Sequence, residues 1–176
     1  MPKIDDTRPF IPVNIAVMTV SDTRTEVDDK SGDTLANRAS NAGHNVSARK
    51  IVKDDKPSIT NQLRAWIDDD DVDVIISTGG TGITGRDVTP ECFEALYDKA
   101  IPGFGELFRM LSYDLIGTST IQSRCTGGLS GGTLMFALPG STGAVKDGWD
   151  KILVTQLDNR FRPCNFVELM PRFKEK

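Results

Sequence analysis

An α/β fold, a parallel sheet covered by helices on both faces, is predicted by three features of the sequence. Mostly apolar, β-branched runs alternate along the chain with segments of helical periodicity. Those runs are continuous rather than alternating, as in strands buried on both faces. Loops rich in glycine, serine and threonine follow two of the runs directly, at the strand ends where open parallel sheets bind ligands. With 176 residues the chain is sized for one domain spanning 1–176, and residues 1–12 and 160–176 read as extended terminal arms.

The run from Val13 to Val20 (VNIAVMTV) is the first strand, ended by the polar Ser21-Asp22-Thr23-Arg24. Ser31, Gly32 and Asp33 offer cap-type residues ahead of Leu35, Ala36, Ala39 and Ala42, which share a helical face, and Gly43 supplies the stop. Val46 to Val52 is a second strand. Pro57 opens a helix whose Ile59, Leu63, Trp66 and Ile67 lie together. The four aspartates Asp68 to Asp71 read as a solvated turn rather than a metal site. Val72 to Ser77 is the third strand, followed at once by Thr78-Gly79-Gly80-Thr81-Gly82. Thr89-Pro90-Glu91 has the hydroxyl, proline and carboxylate of a helix start. The next helix carries Phe104, Leu107, Phe108, Leu111 and Leu115 on one stripe. Leu134 to Leu138 is a fourth strand, and Pro139-Gly140-Ser141-Thr142-Gly143 leads from it into a helix with Val145, Trp149, Ile152, Leu153 and Leu157. The tail from Arg160 reads as an arm along the body or a neighbouring subunit.

Composition excludes several classes. There are 21 basic and 25 acidic residues, a net charge of −4, and the basic ones are scattered, which argues against nucleic acid or an acidic membrane as partner. Neither a membrane-spanning run nor a signal-peptide pattern is present, so a cytoplasmic location is expected. Three separated cysteines (Cys92, Cys125, Cys164) and one histidine, His44, disfavour a disulfide framework, a zinc site and a Ser-His-Asp triad. His44 itself reads as a turn residue after Gly43.

The glycines cluster between Gly79 and Gly105 and between Gly127 and Gly148. In Thr78 to Gly82 they let backbone N–H groups converge on an anion without side-chain obstruction, the pattern of a phosphate cradle; a plain tight turn is the alternative. Walker A spacing is missing. Gly80-Thr81-Gly82-Ile83-Thr84-Gly85 fits G-x-G-x-x-G, but the next helix starts later, at Pro90, which argues against a nicotinamide dinucleotide. Asp87 beside such a cradle would repel a phosphate unless Mg²⁺ lay between them; a loop cap or a pair with Arg86 is the other reading. Asp54 and Asp55 end the second strand, where one is suited to the same edge and either to capping the helix at Pro57. Ser141 begins a helix N-terminus, and Ser123 and Arg124 add a hydroxyl and a guanidinium fork, which would serve a phosphate or a surface ion pair.

Taken in order, SDTR (Ser21–Arg24), SGDTL (Ser31–Leu35), TGGTGITGRDVTPE (Thr78–Glu91), PGFGELFR (Pro102–Arg109), IGTSTIQSR (Ile116–Arg124), LPGST (Leu138–Thr142) and RPCNF (Arg162–Phe166) closely resemble the molybdenum cofactor biosynthesis protein B family and its sister group, the molybdopterin adenylyltransferases. The resemblance implies a three-layer α/β domain assembling as a homo-trimer or hexamer, working beside other enzymes of the same pathway. It further implies binding of molybdopterin and transfer of AMP from Mg-ATP to its terminal phosphate; a non-catalytic carrier of molybdopterin or its precursor is the alternative within the family. Carried over by position, Thr78, Gly79, Gly80, Thr81 and Gly82 would hold phosphate, Asp54 and Asp87 would serve metal and nucleotide, and Gly140 with Ser141 would help bind the pterin. The intact Arg86-Asp87-Val88-Thr89-Pro90-Glu91 segment favours the active branch.

Overall fold

A computed structural model describes residues 1–175. In chain order the elements are β1 (Lys3–Ile4), β2 (Asn14–Val20), α1 (Lys30–Asn41), β3 (Asn45–Val52), α2 (Lys56–Ile67), β4 (Val74–Thr78), α3 (Thr89–Glu94), β5 (Lys99–Ala100), α4 (Pro102–Ile116), β6 (Thr126–Ser130), β7 (Thr133–Leu138), α5 (Thr142–Gly148), α6 (Val154–Gln156) and β8 (Phe161–Arg162). A six-stranded sheet runs in the order β3-β2-β4-β7-β6-β5. Its first four strands are parallel.

The apolar strand residues alternate between two cores although nearly all are buried. Ile15, Val17, Val74, Ile76, Leu134 and Phe136 face the layer of α1, α4 and α5. Ala16, Met18, Ile75 and Met135 face α2 and α3. Helices on both faces make the three-layer α/β class. β3 lies to one side of β2 and β4 to the other, so the strand order reverses at β2, and the loops leaving β2 and β4 meet at this switch point.

Several expectations need correcting. A strand that the sequence reading does not include runs through Gly127 and Gly128: β6 forms a hairpin with β7 and pairs with β5, both antiparallel. Glycine is a poor strand former, yet here aromatic rings lie where side chains would stand. A Cβ on Gly127 would sit 2.9 Å from the Phe136 ring and one on Gly128 2.4 Å from the Tyr97 ring. The hairpin turn uses Gly131 and Gly132, both at positive φ.

The cap of α1 is Asp29, whose carboxylate accepts from Gly32 N, rather than a residue of the Ser31 to Asp33 group. Thr89 lies inside α3, and its hydroxyl donates to the Gly79 carbonyl instead of capping the helix. On α4 only part of the expected stripe is covered: Phe104 and Phe108 are buried while Leu107 and Leu115 are exposed. α5 runs through a π-helical segment, Trp149–Leu153, into α6. The tail is not extended throughout: β8 pairs with β1, and a 3-10 segment, Val167–Arg172, brings Phe166, Met170 and Phe173 onto the core. Asp68 to Asp71 form the exposed turn the sequence predicts.

His44 is buried rather than a surface turn residue. Its Nδ1 accepts from Val13 N at 3.2 Å, and its ring lies between Phe10 and Trp149. Burial holds its pKa below the ordinary imidazole value, with Asp158 opposing weakly. Below that ordinary value the unfolded chain takes up a proton that the folded chain refuses, so stability falls with pH. The melting temperature should therefore drop further between about pH 7 and pH 5 for the native chain than for His44→Gln. Parallel drops in the two proteins would contradict this account of His44.

Candidate active site

Loops leaving the carboxyl ends of β2, β3, β4 and β7 meet on one edge of the sheet. The tightest approach is between the loops after β4 and β7. Gly79 N donates to the Leu138 carbonyl at 3.0 Å, Thr78 Oγ1 donates to the Pro139 carbonyl at 3.0 Å, and a Cβ on Gly140 would lie 3.3 Å from Gly79 Cα. Gly79 has φ +105°, and a Cβ there would stand 2.3 Å from the Val20 carbonyl oxygen. A left-handed residue other than glycine costs roughly 1–2 kcal/mol, and contact with a fixed backbone oxygen adds more. Gly80, at φ +66°, is crowded by Thr89 Oγ1 and by Asp54 Oδ1.

Every carbonyl from Gly79 to Gly82 is engaged. Thr89 Oγ1 donates to Gly79 and Thr89 N to Gly80, and Arg124 N donates to Thr81 at 3.0 Å. Arg124 Nε donates to Gly82 at 2.7 Å. By contrast, the N–H groups of Gly80 and Thr81 have no protein acceptor among the described residues. A loop with its acceptors tied back and two donors unspent is suited to an anion.

The predicted site residues fall into two groups. Gly80, Thr81, Gly82, Asp87, Ser123, Gly140 and Ser141 line one cavity of about 510 Å³. Thr78, Gly79, Asp54 and Arg124 lie outside its lining. Thr78 and Gly79 build the seam beneath it, and Asp54 stands behind Gly80. The Arg124 guanidinium is not an open phosphate fork. It binds the Gly82 and Asp87 carbonyls and ion-pairs with Glu91, so all three of its nitrogens have partners and it clamps the loop in shape. Ser141 Oγ is spent accepting from Ala144 N as the cap of α5, whereas Ser123 Oγ is buried without a partner.

The two carboxylates differ sharply. Burial pushes Asp87 up, but hydrogen bonds from Thr84 N and Thr84 Oγ1, the nearby Gly82 backbone and the charge of Arg124 outweigh it, so its carboxyl lies below the usual range. Asp87 thus stays ionised inside its own loop, and Arg86 pairs with Asp22 rather than with it. Asp54 is held above the usual range, first by burial and then by the like charges of Asp87 and Asp22, with Arg86 opposing. Its Oδ1 is buried with no hydrogen-bond partner. The neighbouring Asp55 is the cap of α2, accepting from Ser58 N.

An orphaned carboxylate oxygen near a second ionised carboxylate is chemistry that fits a hard divalent cation. Among the described residues no three His, Cys, Asp or Glu side chains form a ready cage, which also fits Mg²⁺, an ion commonly held by one or two carboxylates, phosphate oxygens and water.

Sequence reasoning missed the cavity's apolar wall: Phe108, Ser112, Leu115 and Ile116 of α4, with Thr120 and Gln122. The available signal is the apolar stripe of α4, whose Phe108 and Leu115 line the cavity. It also missed Arg24, whose Nη2 donates to the Gly140 carbonyl at 3.0 Å, and Glu91.

Fold and site together define an open-sheet α/β protein with a glycine loop of unspent N–H donors and a carboxylate pair at its switch point. The chain belongs to the molybdenum cofactor biosynthesis protein family: the family described as "Probable molybdopterin binding domain" matches residues 16–159. It is 52% identical over 157 residues to molybdenum cofactor biosynthesis protein B of Escherichia coli (strain K12), covering 89% of this chain and 92% of that one. Among solved structures, one described as molybdenum cofactor biosynthesis protein B superposes with TM-score 0.83 at 48% identity, covering 85% of this chain and 94% of the other. The tungsten cofactor synthesizing protein MoaB from Pyrococcus furiosus superposes with TM-score 0.72 at 40% identity, covering 81% and 91%. The third glycine of G-x-G-x-x-G, Gly85, has open space around it, so it lacks the helix–sheet packing role of a dinucleotide fingerprint.

Arg124→Gln should cost about 2 kcal/mol in stability, the scale of hydrogen bonds to a charged group, and Arg124→Lys should not restore it, because an ammonium cannot reproduce the planar fork. Denaturant melts read both; full rescue by lysine would contradict the clamp.

Proposed function

We propose that the protein binds molybdopterin in the 510 Å³ cavity and transfers AMP from Mg-ATP to its terminal phosphate, releasing pyrophosphate and adenylylated molybdopterin. The observation that carries this reading is the pair of carboxylates at the glycine loop, Asp87 within it and ionised, and Asp54 behind it with an unpartnered oxygen. A cavity for a phosphorylated ligand alone has no need of it. The relatives' names support the pathway.

The nucleophile, the acceptor's terminal phosphate, is already ionised near neutral pH, so the reaction needs alignment and charge neutralisation rather than a strong base. In this reading the N–H groups of Gly80 and Thr81 hold phosphate, with the Thr81 hydroxyl beside them. Phe108, Leu115 and Ile116 provide an apolar wall for the pterin, with Ser123 Oγ as a polar contact. Gly140, free of a side chain at the seam, lets the ligand approach the backbone, and Ser141 fixes the start of α5. Asp54 and Asp87 would hold Mg²⁺, which when bound neutralises phosphate charge. Arg124 keeps the loop in its binding shape.

Self-association as a trimer or hexamer belongs to the same proposal. It is supported by the exposed apolar side chains of Met110 and Tyr113 on α4 and of Ile121 after it, residues of the kind that subunit contacts cover. Partnership with other enzymes of the pathway rests on the family alone.

Incubation with molybdopterin, ATP and Mg²⁺ should yield pyrophosphate and adenylylated molybdopterin. Asp87→Asn keeps the acceptor that Thr84 uses while removing the charge, so it should fold normally and lose turnover by orders of magnitude. Molybdopterin bound with ATP left intact would instead identify a carrier, and full activity in Asp87→Asn would remove the role given to that carboxylate.

A further inference from the structure

The transfer reaction calls for a cation beside the phosphates, and Arg124, the residue the sequence offers for it, is committed to Gly82, Asp87 and Glu91. Arg86 differs in each respect. It directly precedes Asp87 on the exposed tip of the glycine loop, its side chain is 70% exposed, and its one described partner is Asp22. The tip of this loop, residues 83–86, is bonded within itself through Thr84 and Asp87. Among the described residues, the Arg86–Asp22 pair is its only polar tie to the loop after β2. Asp22 is anchored independently of that pair, because its other oxygen accepts from Asp54 N at 3.2 Å.

We propose that Arg86 is the cation that meets the phosphates of the nucleotide, and that its pairing with Asp22 is the resting position of a latch that phosphate opens. This rests on the nucleotide-dependent reading of the site. The energetics favour the exchange. An exposed Arg–Asp pair contributes roughly 0–1 kcal/mol, whereas a guanidinium on phosphate makes bidentate charge-assisted hydrogen bonds that are stronger. The loop after β4 carries Arg86 directly before Asp87, which lines the cavity, so the guanidinium is borne by the loop that would meet the phosphates. Before phosphate arrives, the pairing serves the empty site: the positive charge of Arg86 offsets the carboxylates Asp22 and Asp54. Once Mg²⁺ accompanies the nucleotide, that charge is no longer required there and becomes available to the phosphates.

Calorimetric titration with Mg²⁺ and an ATP analogue carrying a methylene between the α and β phosphates reads the latch without turnover. Arg86→Gln should weaken binding about tenfold or more, and Arg86→Lys should recover part of the loss. Asp22→Asn retains an acceptor for Asp54 N while releasing Arg86, so it should tighten binding by about twofold to fivefold, the size of the pair it removes. Lys56→Gln, which removes the neighbouring cation in the depression beside Ile83 and Glu91, should bind as the native chain does.

Native-like affinity in Arg86→Gln, or a loss shown by Lys56→Gln in its place, would overturn the assignment of Arg86. Affinity at or below native in Asp22→Asn would overturn the latch. If the native chain itself fails to bind the analogue, the nucleotide reading falls and the latch with it; native binding with a flat variant series removes the latch alone.

Discussion

The structure depends on the contact between two backbones at the ends of β4 and β7. Gly79 donates to the Leu138 carbonyl with the Val20 carbonyl so close that a methyl group would not fit. Because the two loops touch without side chains, the cradle after β4 and the start of α5 form one continuous wall. The hydroxyls of Thr78 and Thr89 stitch that wall rather than facing a ligand. The parallel pairing of β4 between β2 and β7 sets the approach, and the glycines permit it.

The second consequence is electrostatic. The same seam that leaves the N–H groups of Gly80 and Thr81 without protein acceptors among the described residues also brings Asp22, Asp54 and Asp87 near one another from three strand ends. Arg124 is spent on carbonyls and Glu91, so the local charge is left incompletely balanced. Asp54 lies above the usual carboxylate range, first through burial and then through the like charges of Asp87 and Asp22, and one of its oxygens has no donor. A buried polar atom left so is costly in isolation. In the proposed function a ligand completes it, a divalent cation that would reconcile the clustered carboxylates with phosphate. The apolar side of the cavity has a parallel origin: Leu115 and Ile116 on α4 remain uncovered by the protein's own core and leave an apolar surface in the cavity wall.

Much of this was legible in the residues. The strands from Val13, Val72 and Leu134 announce themselves through unbroken apolar runs, and Gly79-Gly80 after such a run marks a backbone that must approach something closely. What stayed hidden involves partners distant in sequence. β6 is a strand because rings of Tyr97 and Phe136 cover its glycines, a fact no local propensity contains. Arg124 as a clamp follows from the placement of Glu91 and the loop carbonyls beside it, and His44 is buried because Phe10 and Trp149 fold around it. Asp54 could be told from the cap Asp55 only through the family resemblance, since both precede the same helix.

The central claim is that this edge of the sheet accepts a phosphate ligand only in company with a divalent cation. The most direct measurement is the affinity for a non-cleavable ATP analogue in Mg²⁺ and again in excess chelator. The account predicts that removing the metal abolishes or severely weakens binding. Equal affinity with and without Mg²⁺ would contradict it.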